Sequence, residues 1–141
     1  IITLICDALK GTLVVTIAIK MNFTDYEVMC VALAVLIGHI YPVYYKFKGG
    51  KGVATALGIL LGLNQLLALS VLVIWILVFF IFRYSSLSAI VASLMAPILS
   101  MYIFNESISF SIIYIFIAAL IILRHKSNIN NLIQGAEPKF K

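Results

Sequence analysis

Residues 53 to 82 carry no charged side chain. At about 1.5 Å per helical residue, such a run is longer than one bilayer crossing requires. It holds one polar stretch, Gly62, Leu63, Asn64 and Gln65, which predicts a turn between a short helix over residues 53–62 and a longer one over residues 66–82. Further apolar runs occupy residues 1–19, 28–45, 84–104 and 108–123. Because they recur along the whole chain, a cleaved leader does not explain them. With 64% hydrophobic residues among 141, the chain is predicted to be all-α, a polytopic transmembrane helical bundle of about six membrane passes. No internal repeat or linker divides it, so a single domain over residues 1–141 is expected.

The formal net charge is +5, and the cations cluster at the ends of apolar runs. That placement argues for membrane orientation and against nucleic-acid binding. With the segment 46–52 inside, alternation puts Lys46, Lys48, Lys51, Arg83, Arg124, Lys126, Lys139 and Lys141 on the cytoplasmic side. Lys20, Asp25, Glu27 and Glu106 fall on the other. The asymmetry holds only if residues 53–82 cross twice or dip and return. It predicts that the Asp7–Gly11 region, the 46–52 segment and the tail share one face. Cys6 and Cys30 lie in apolar stretches without CxxC spacing or an adjoining His ligand. They read as small packing residues, with neither a disulfide framework nor a zinc site, and no metal or cofactor is expected.

The segment KFKGGKGVAT (46–55) places lysines and glycines between two apolar stretches. It is not a nucleotide-binding P-loop, because Tyr45 and Gly52 stand where that pattern needs Gly and Ser or Thr. Its physics is still that of an anion site. Glycines let backbone N–H groups approach a phosphate, and a helix beginning near Val53 points its positive end the same way. The plainer alternative, lysines anchoring helix ends to lipid phosphates, leaves Gly49, Gly50 and Gly52 unexplained.

Asp7 and Lys10 are three apart, so on a helix they share a face and can pair, either lining a polar interior or as a structural ion pair. His39 lies three residues before Pro42, which can open the helix toward the loop; it reads as a satisfied core group or a catalytic one. In the tail, RHKSNINNLIQGAE, His125, Asn128 and Glu137 follow the last span, and a short interfacial helix ending near Gly135 is expected.

Three stretches, CDALKG (6–11), GHIYPVYYKFKGGKGVATALG (38–58) and RHKSNINNLIQGAE (124–137), resemble in order and spacing the motifs of the bacterial glycerol-3-phosphate acyltransferases that use acyl phosphate, the PlsY family. The resemblance implies a seven-helix inner-membrane enzyme with its active site on the cytoplasmic side. Its partners would be acyl phosphate, glycerol 3-phosphate and membrane lipid, and its products 1-acylglycerol 3-phosphate and phosphate. It assigns Lys48, Gly49, Gly50, Lys51, Gly52 and Thr55 to substrate binding, with Asp7 and Lys10 as further candidates. It puts His39 beside that loop, His125 and Asn128 in the active centre, and Glu137 in a supporting role. Asn130 and Asn131 stand where the family usually has basic residues. The family's first helix, and the Ser/Gly/Asn-rich cytoplasmic loop after it, have no counterpart here, and the chain is expected to lack them.

No nucleophilic Ser or Cys arrangement is evident, so direct transfer is expected. The base is left open among His39, His125 and the substrate's own phosphate. Two other readings compete: a transporter or channel for a phosphate-like anion, and an inactive fragment of the enzyme. The first needs a polar path, and residues 66–82, 84–104 and 108–123 hold no charged residue apart from the flanking Arg83.

Overall fold

The computed structural model describes residues 2–47, 49–104 and 107–140, with the side chain of Tyr45 excepted. Lys48, Asn105, Glu106 and Lys141 lie outside the described residues, and so do the expectations placed on them. Seven α-helices are described: α1 (Ile2–Lys20), α2 (Asp25–Ile40), α3 (Val53–Leu63), α4 (Gln65–Phe82), α5 (Ser85–Tyr102), α6 (Ile108–Arg124) and α7 (Lys126–Ile133). A 3-10 turn at Val43–Tyr45 separates α2 from the glycine loop.

The helix ends follow local chemistry. At the start of α2, Glu27 accepts from the Thr24 amide at 2.8 Å while the Thr24 hydroxyl accepts from the Glu27 amide, a reciprocal capping box. The helix stops at Ile40 rather than running on to residue 45, because Pro42 has no N–H to continue the ladder. The charge-free run divides as expected, but at Asn64 alone. The Asn64 side-chain oxygen accepts from the Leu67 amide at 3.0 Å and caps α4, so Gly62 and Leu63 stay helical.

Packing joins α1 to α2 and α3, α3 to α4, α4 to α5, α5 to α6, and α6 back to α2. The six long helices therefore close a ring, and α7 lies across its rim against α5 and α6. They occupy the stretches from which about six passes were expected, though not all of them are long enough to cross. By length and composition α1, α4 and α5 can each cross a bilayer, and α6 with α7, bent by 62°, makes a fourth; α2 and α3 are shorter.

The closest pairing is α1 with α3. Thr55, Gly58 and Gly62 recur at helical spacing on one face of α3, opposite Ala8, Gly11 and Val15 of α1. The Thr12 hydroxyl donates to the Gly58 carbonyl at 2.9 Å. Lipid is as apolar as leucine, so helices in a bilayer associate through such small-residue contacts and hydrogen bonds rather than by hiding apolar surface. The same physics corrects the reading of the cysteines: Cys6 and Cys30 are exposed on outward faces of α1 and α2, not packed in the core.

Candidate active site

The glycine loop is shaped by what it must approach. A side chain at Gly49 would strike the carbonyls of His39 and Ile40, and one at Gly50 would strike the His39 ring. Gly52 takes φ +85°, a conformation glycine adopts without strain, and no side chain among the described residues caps the α3 amides that follow it. From the far side, the Arg124 guanidinium donates to the Gly49 carbonyl at 3.3 Å and lies 5.5 Å from the Tyr41 ring centre. The loop is thus held between the end of α2 and the end of α6.

Behind it, the Lys10 ammonium reaches Asp7 Oδ1 at 2.6 Å and His39 Nδ1 at 2.6 Å, with Asp7 3.4 Å from the same ring nitrogen. An ammonium can only donate, so Nδ1 accepts and the proton of the neutral imidazole sits on Nε2, beside Gly50. In this arrangement His39 has no free lone pair with which to act as a base.

A cavity of about 840 Å³ opens inside the ring, walled by α1, α3, α4, α5, α6 and residues 137–140. Around its rim stand Lys51, Ser86, His125, Asn128 and Glu137; its depth is lined by residues such as Leu57, Leu60, Leu72, Trp75, Ala92 and Ile117. His125 is 2% exposed, and its Nδ1 lies 2.8 Å from the Ile121 carbonyl. A carbonyl only accepts, so Nδ1 carries the proton and Nε2 keeps the lone pair of the neutral ring. Asn128 donates to Glu137 Oε1 at 2.8 Å, which fixes its amide orientation, and its own buried oxygen has no partner among the described residues. Such an orphan acceptor costs roughly 1–3 kcal/mol until a donor arrives.

The Ser86 hydroxyl also donates to Glu137 Oε1, tying the tail to the start of α5. Burial pushes the Glu137 pKa up, but hydrogen bonds from Ser86, Asn128 and Asn131 and the nearby Lys51 charge outweigh it and hold the group below the usual 4.5. The folded chain therefore binds this proton less readily than the unfolded one. The stabilisation is complete above about pH 4.5 and is lost as pH falls through the depressed folded value. In thermal unfolding in detergent, Glu137→Gln should lower Tm at pH 7, and the gap to the parent chain should close as the buffer is taken toward pH 3. A gap that stayed constant with pH would contradict this account of Glu137.

Of the residues singled out in the sequence, Lys51, His125, Asn128 and Glu137 meet at the rim, and Gly49, Gly50 and Gly52 shape the loop beside it. Asp7, Lys10 and His39 form the neighbouring cluster, which does not include the cavity wall. Thr55 is fully buried on the α1 side of α3 and is not brought to the cavity. Ser86 and the role of Arg124 were not foreseen. Each acts through a partner at least fifty residues away in sequence, for which local pattern gives no signal.

The model of the family described as Glycerol-3-phosphate acyltransferase matches residues 1–135. A glycerol-3-phosphate acyltransferase of Burkholderia ambifaria is 42% identical over 142 residues, covering 99% of this chain and 66% of that protein. One of Dechloromonas aromatica is 47% identical over 138 residues, covering 98% of this chain and 69% of that protein. A crystal structure of PlsY (YgiH), an integral membrane glycerol 3-phosphate acyltransferase, in its glycerol 3-phosphate form, matches with a TM-score of 0.94 at 38% identity, over 99% of this chain and 70% of that one. Its lysophosphatidic acid form matches with the same TM-score. The chain spans 66% of the length of the first of these relatives. With that match over nearly its whole length and a ring of apolar helices to support it, the chain belongs to the glycerol-3-phosphate acyltransferase family.

Proposed function

We propose that the chain transfers a fatty acyl group from acyl phosphate to the 1-hydroxyl of glycerol 3-phosphate, giving 1-acylglycerol 3-phosphate and inorganic phosphate. The observation that carries this reading is one cavity with a cationic, hydrogen-bonding rim and an apolar depth. An amphiphile with a phosphate head fits such a space, and a polar co-substrate fits its rim. The names of the relatives, and the glycerol 3-phosphate and lysophosphatidic acid forms of the PlsY structure, support glycerol 3-phosphate as the acceptor and its acylated derivative as the product.

The chemistry asks little of the protein beyond holding two anions and aiming a hydroxyl, because phosphate is a good leaving group. Lys51 and the loop amides hold phosphate. His125 Nε2 accepts from the glycerol 1-hydroxyl and takes its proton as that oxygen attacks the acyl carbon, and the orphan Asn128 oxygen accepts from the neighbouring 2-hydroxyl. The bond from that carbon to the phosphate oxygen then breaks, and phosphate departs with the electron pair. The rim faces the cytoplasm across the inner membrane, since Lys46, Lys51, Arg83, Arg124, Lys126 and Lys139 flank it while Asp25 and Glu27 start the helix that leads to it from the opposite end.

Vesicles carrying the chain, given labelled glycerol 3-phosphate and an acyl phosphate, should form lysophosphatidate and phosphate in equal amounts. Labelled glycerol phosphate accumulating inside the vesicles with no donor present, and no product when donor is added, would replace this reading with a transporter.

A further inference from the structure

Residues 137–140 form one wall of the cavity mouth, and contacts of different kinds fasten them there. Glu137 accepts from Ser86 and Asn128. The Phe140 amide donates to the Arg83 carbonyl at 2.9 Å. Its ring meets Phe79 edge-on with centres 5.4 Å apart, and Phe79 in turn stacks on Trp75 at 5.2 Å. Trp75 lines the apolar part of the cavity, so the strap is joined to the acyl side of the site and not to solvent alone.

Lys139 stands between these fixed points. Its ammonium lies 5.8 Å from the Tyr84 ring centre, and the residue lines the same cavity as Lys51. A lysine that only anchored the chain to lipid phosphates would need neither a backbone hydrogen bond beside it nor a place in the cavity wall. Lys51 reaches the mouth from the glycine loop that precedes α3 and Lys139 from the tail fastened at the α4–α5 junction, so the two cations come from different segments lining one opening. Of the two proposed substrates only the acyl phosphate has an anionic head on an apolar chain, and Lys139 sits where the cationic rim meets the aromatic wall.

We propose, resting on the acyltransferase reading, that Lys139 is a further substrate-binding residue: with Lys51 it brackets the phosphate of the acyl donor, and the strap from Glu137 to Phe140 positions it. The terminal phosphate of an acyl phosphate, like that of a monoester, carries nearly two negative charges at neutral pH, so a second cation strengthens its binding where one would leave charge uncompensated.

The test compares Lys139→Ala, Lys139→Arg and Phe140→Ala with the parent chain, reconstituted in vesicles and normalised to folded protein. Lys139→Ala should raise the KM for acyl phosphate about tenfold, the loss of one charge-assisted contact, and leave the KM for glycerol 3-phosphate unchanged. Lys139→Arg should restore most of it, and Phe140→Ala should reproduce part of the loss. An unchanged donor KM, or equal rises in both KM values, overturns the proposal. Thermal stabilisation by a non-hydrolysable acyl phosphonate gives a readout independent of turnover: the parent chain should be stabilised and Lys139→Ala much less so, and equal stabilisation overturns the assignment. If the parent chain binds the phosphonate through Lys139 but never forms product, the acyltransferase reading fails while the Lys139 site stands.

Discussion

Gly58→Leu is expected to remove the folded protein from the membrane, whereas Gly38→Ala should change almost nothing. A Cβ added at Gly58 collides with the Ala8 carbonyl oxygen and comes within 3.0 Å of the Ala8 Cα. These are backbone atoms of α1, so no rotamer change relieves the contact, and the two helices must separate. Separation breaks the Thr12 to Gly58 hydrogen bond and leaves a polar hydroxyl and carbonyl in hydrocarbon. Overpacking of this kind costs about 1–3 kcal/mol when neighbours can shift, and more against rigid backbone. The consequences extend to the site, because α1 also carries Asp7 and Lys10. Moving it withdraws Lys10 from His39 and so loosens the ring on which Gly50 rests. Gly38 lies on α2 with nothing within 4 Å of an added Cβ, and there alanine gains about 0.5–1 kcal/mol of helix propensity. Size-exclusion profiles and thermal unfolding in detergent would check the pair. A well-folded Gly58→Leu protein, eluting and melting like the parent chain, would mean that α1 and α3 do not meet as described.

Gly58 was invisible in the sequence for the same reason that the cysteines were misread. In a water-soluble helix the polar face announces the outside; in lipid both faces are apolar, and hydrophobic pattern cannot tell the core from the surface. Leu36 is completely buried and Ile37 beside it is 45% exposed, with nothing in their chemistry to separate them. What the sequence did convey was one-dimensional. The charge-free run and its single Asn gave α3 and α4, the glycines gave the start of α3, and the spacing of Asp7 and Lys10 gave an ion pair, whereas the apolar run to residue 45 put the end of α2 five residues too late. The pairings that build the site lie beyond that reach. Lys10 meets His39, Arg124 meets the Gly49 carbonyl and Ser86 meets Glu137 only because the helices close into a ring. The sequence left the base open between His39, His125 and the substrate's phosphate, and the hydrogen bonds of the two rings separate them.

That separation makes the second large prediction: His125→Gln should lower kcat about 10²- to 10⁴-fold, while His39→Gln should spare most of the rate at high pH. His125 is buried, donates through Nδ1 to the Ile121 carbonyl, and keeps a lone pair on Nε2 in the cavity that Asn128 also lines. Glutamine fills a similar volume with a polar amide but has no basic nitrogen, so the variant removes the proton-accepting role while its melting temperature reports any loss of the Ile121 contact. His39 has its Nδ1 occupied by the Lys10 ammonium, and a ring so held can orient Gly50 without taking a proton. The kinetic signature differs as well. An imidazole base gives the parent chain a fall in kcat on the acid side of its profile, and this limb should vanish in His125→Gln because the titrating base is gone. If the substrate's own phosphate were the base, His125→Gln would lose less than tenfold and keep that limb, since the group responsible would still be present. A variant that melted well below the parent chain, with kcat per folded molecule unchanged, would make His125 a strut between α6 and α7 and leave proton removal to the substrate.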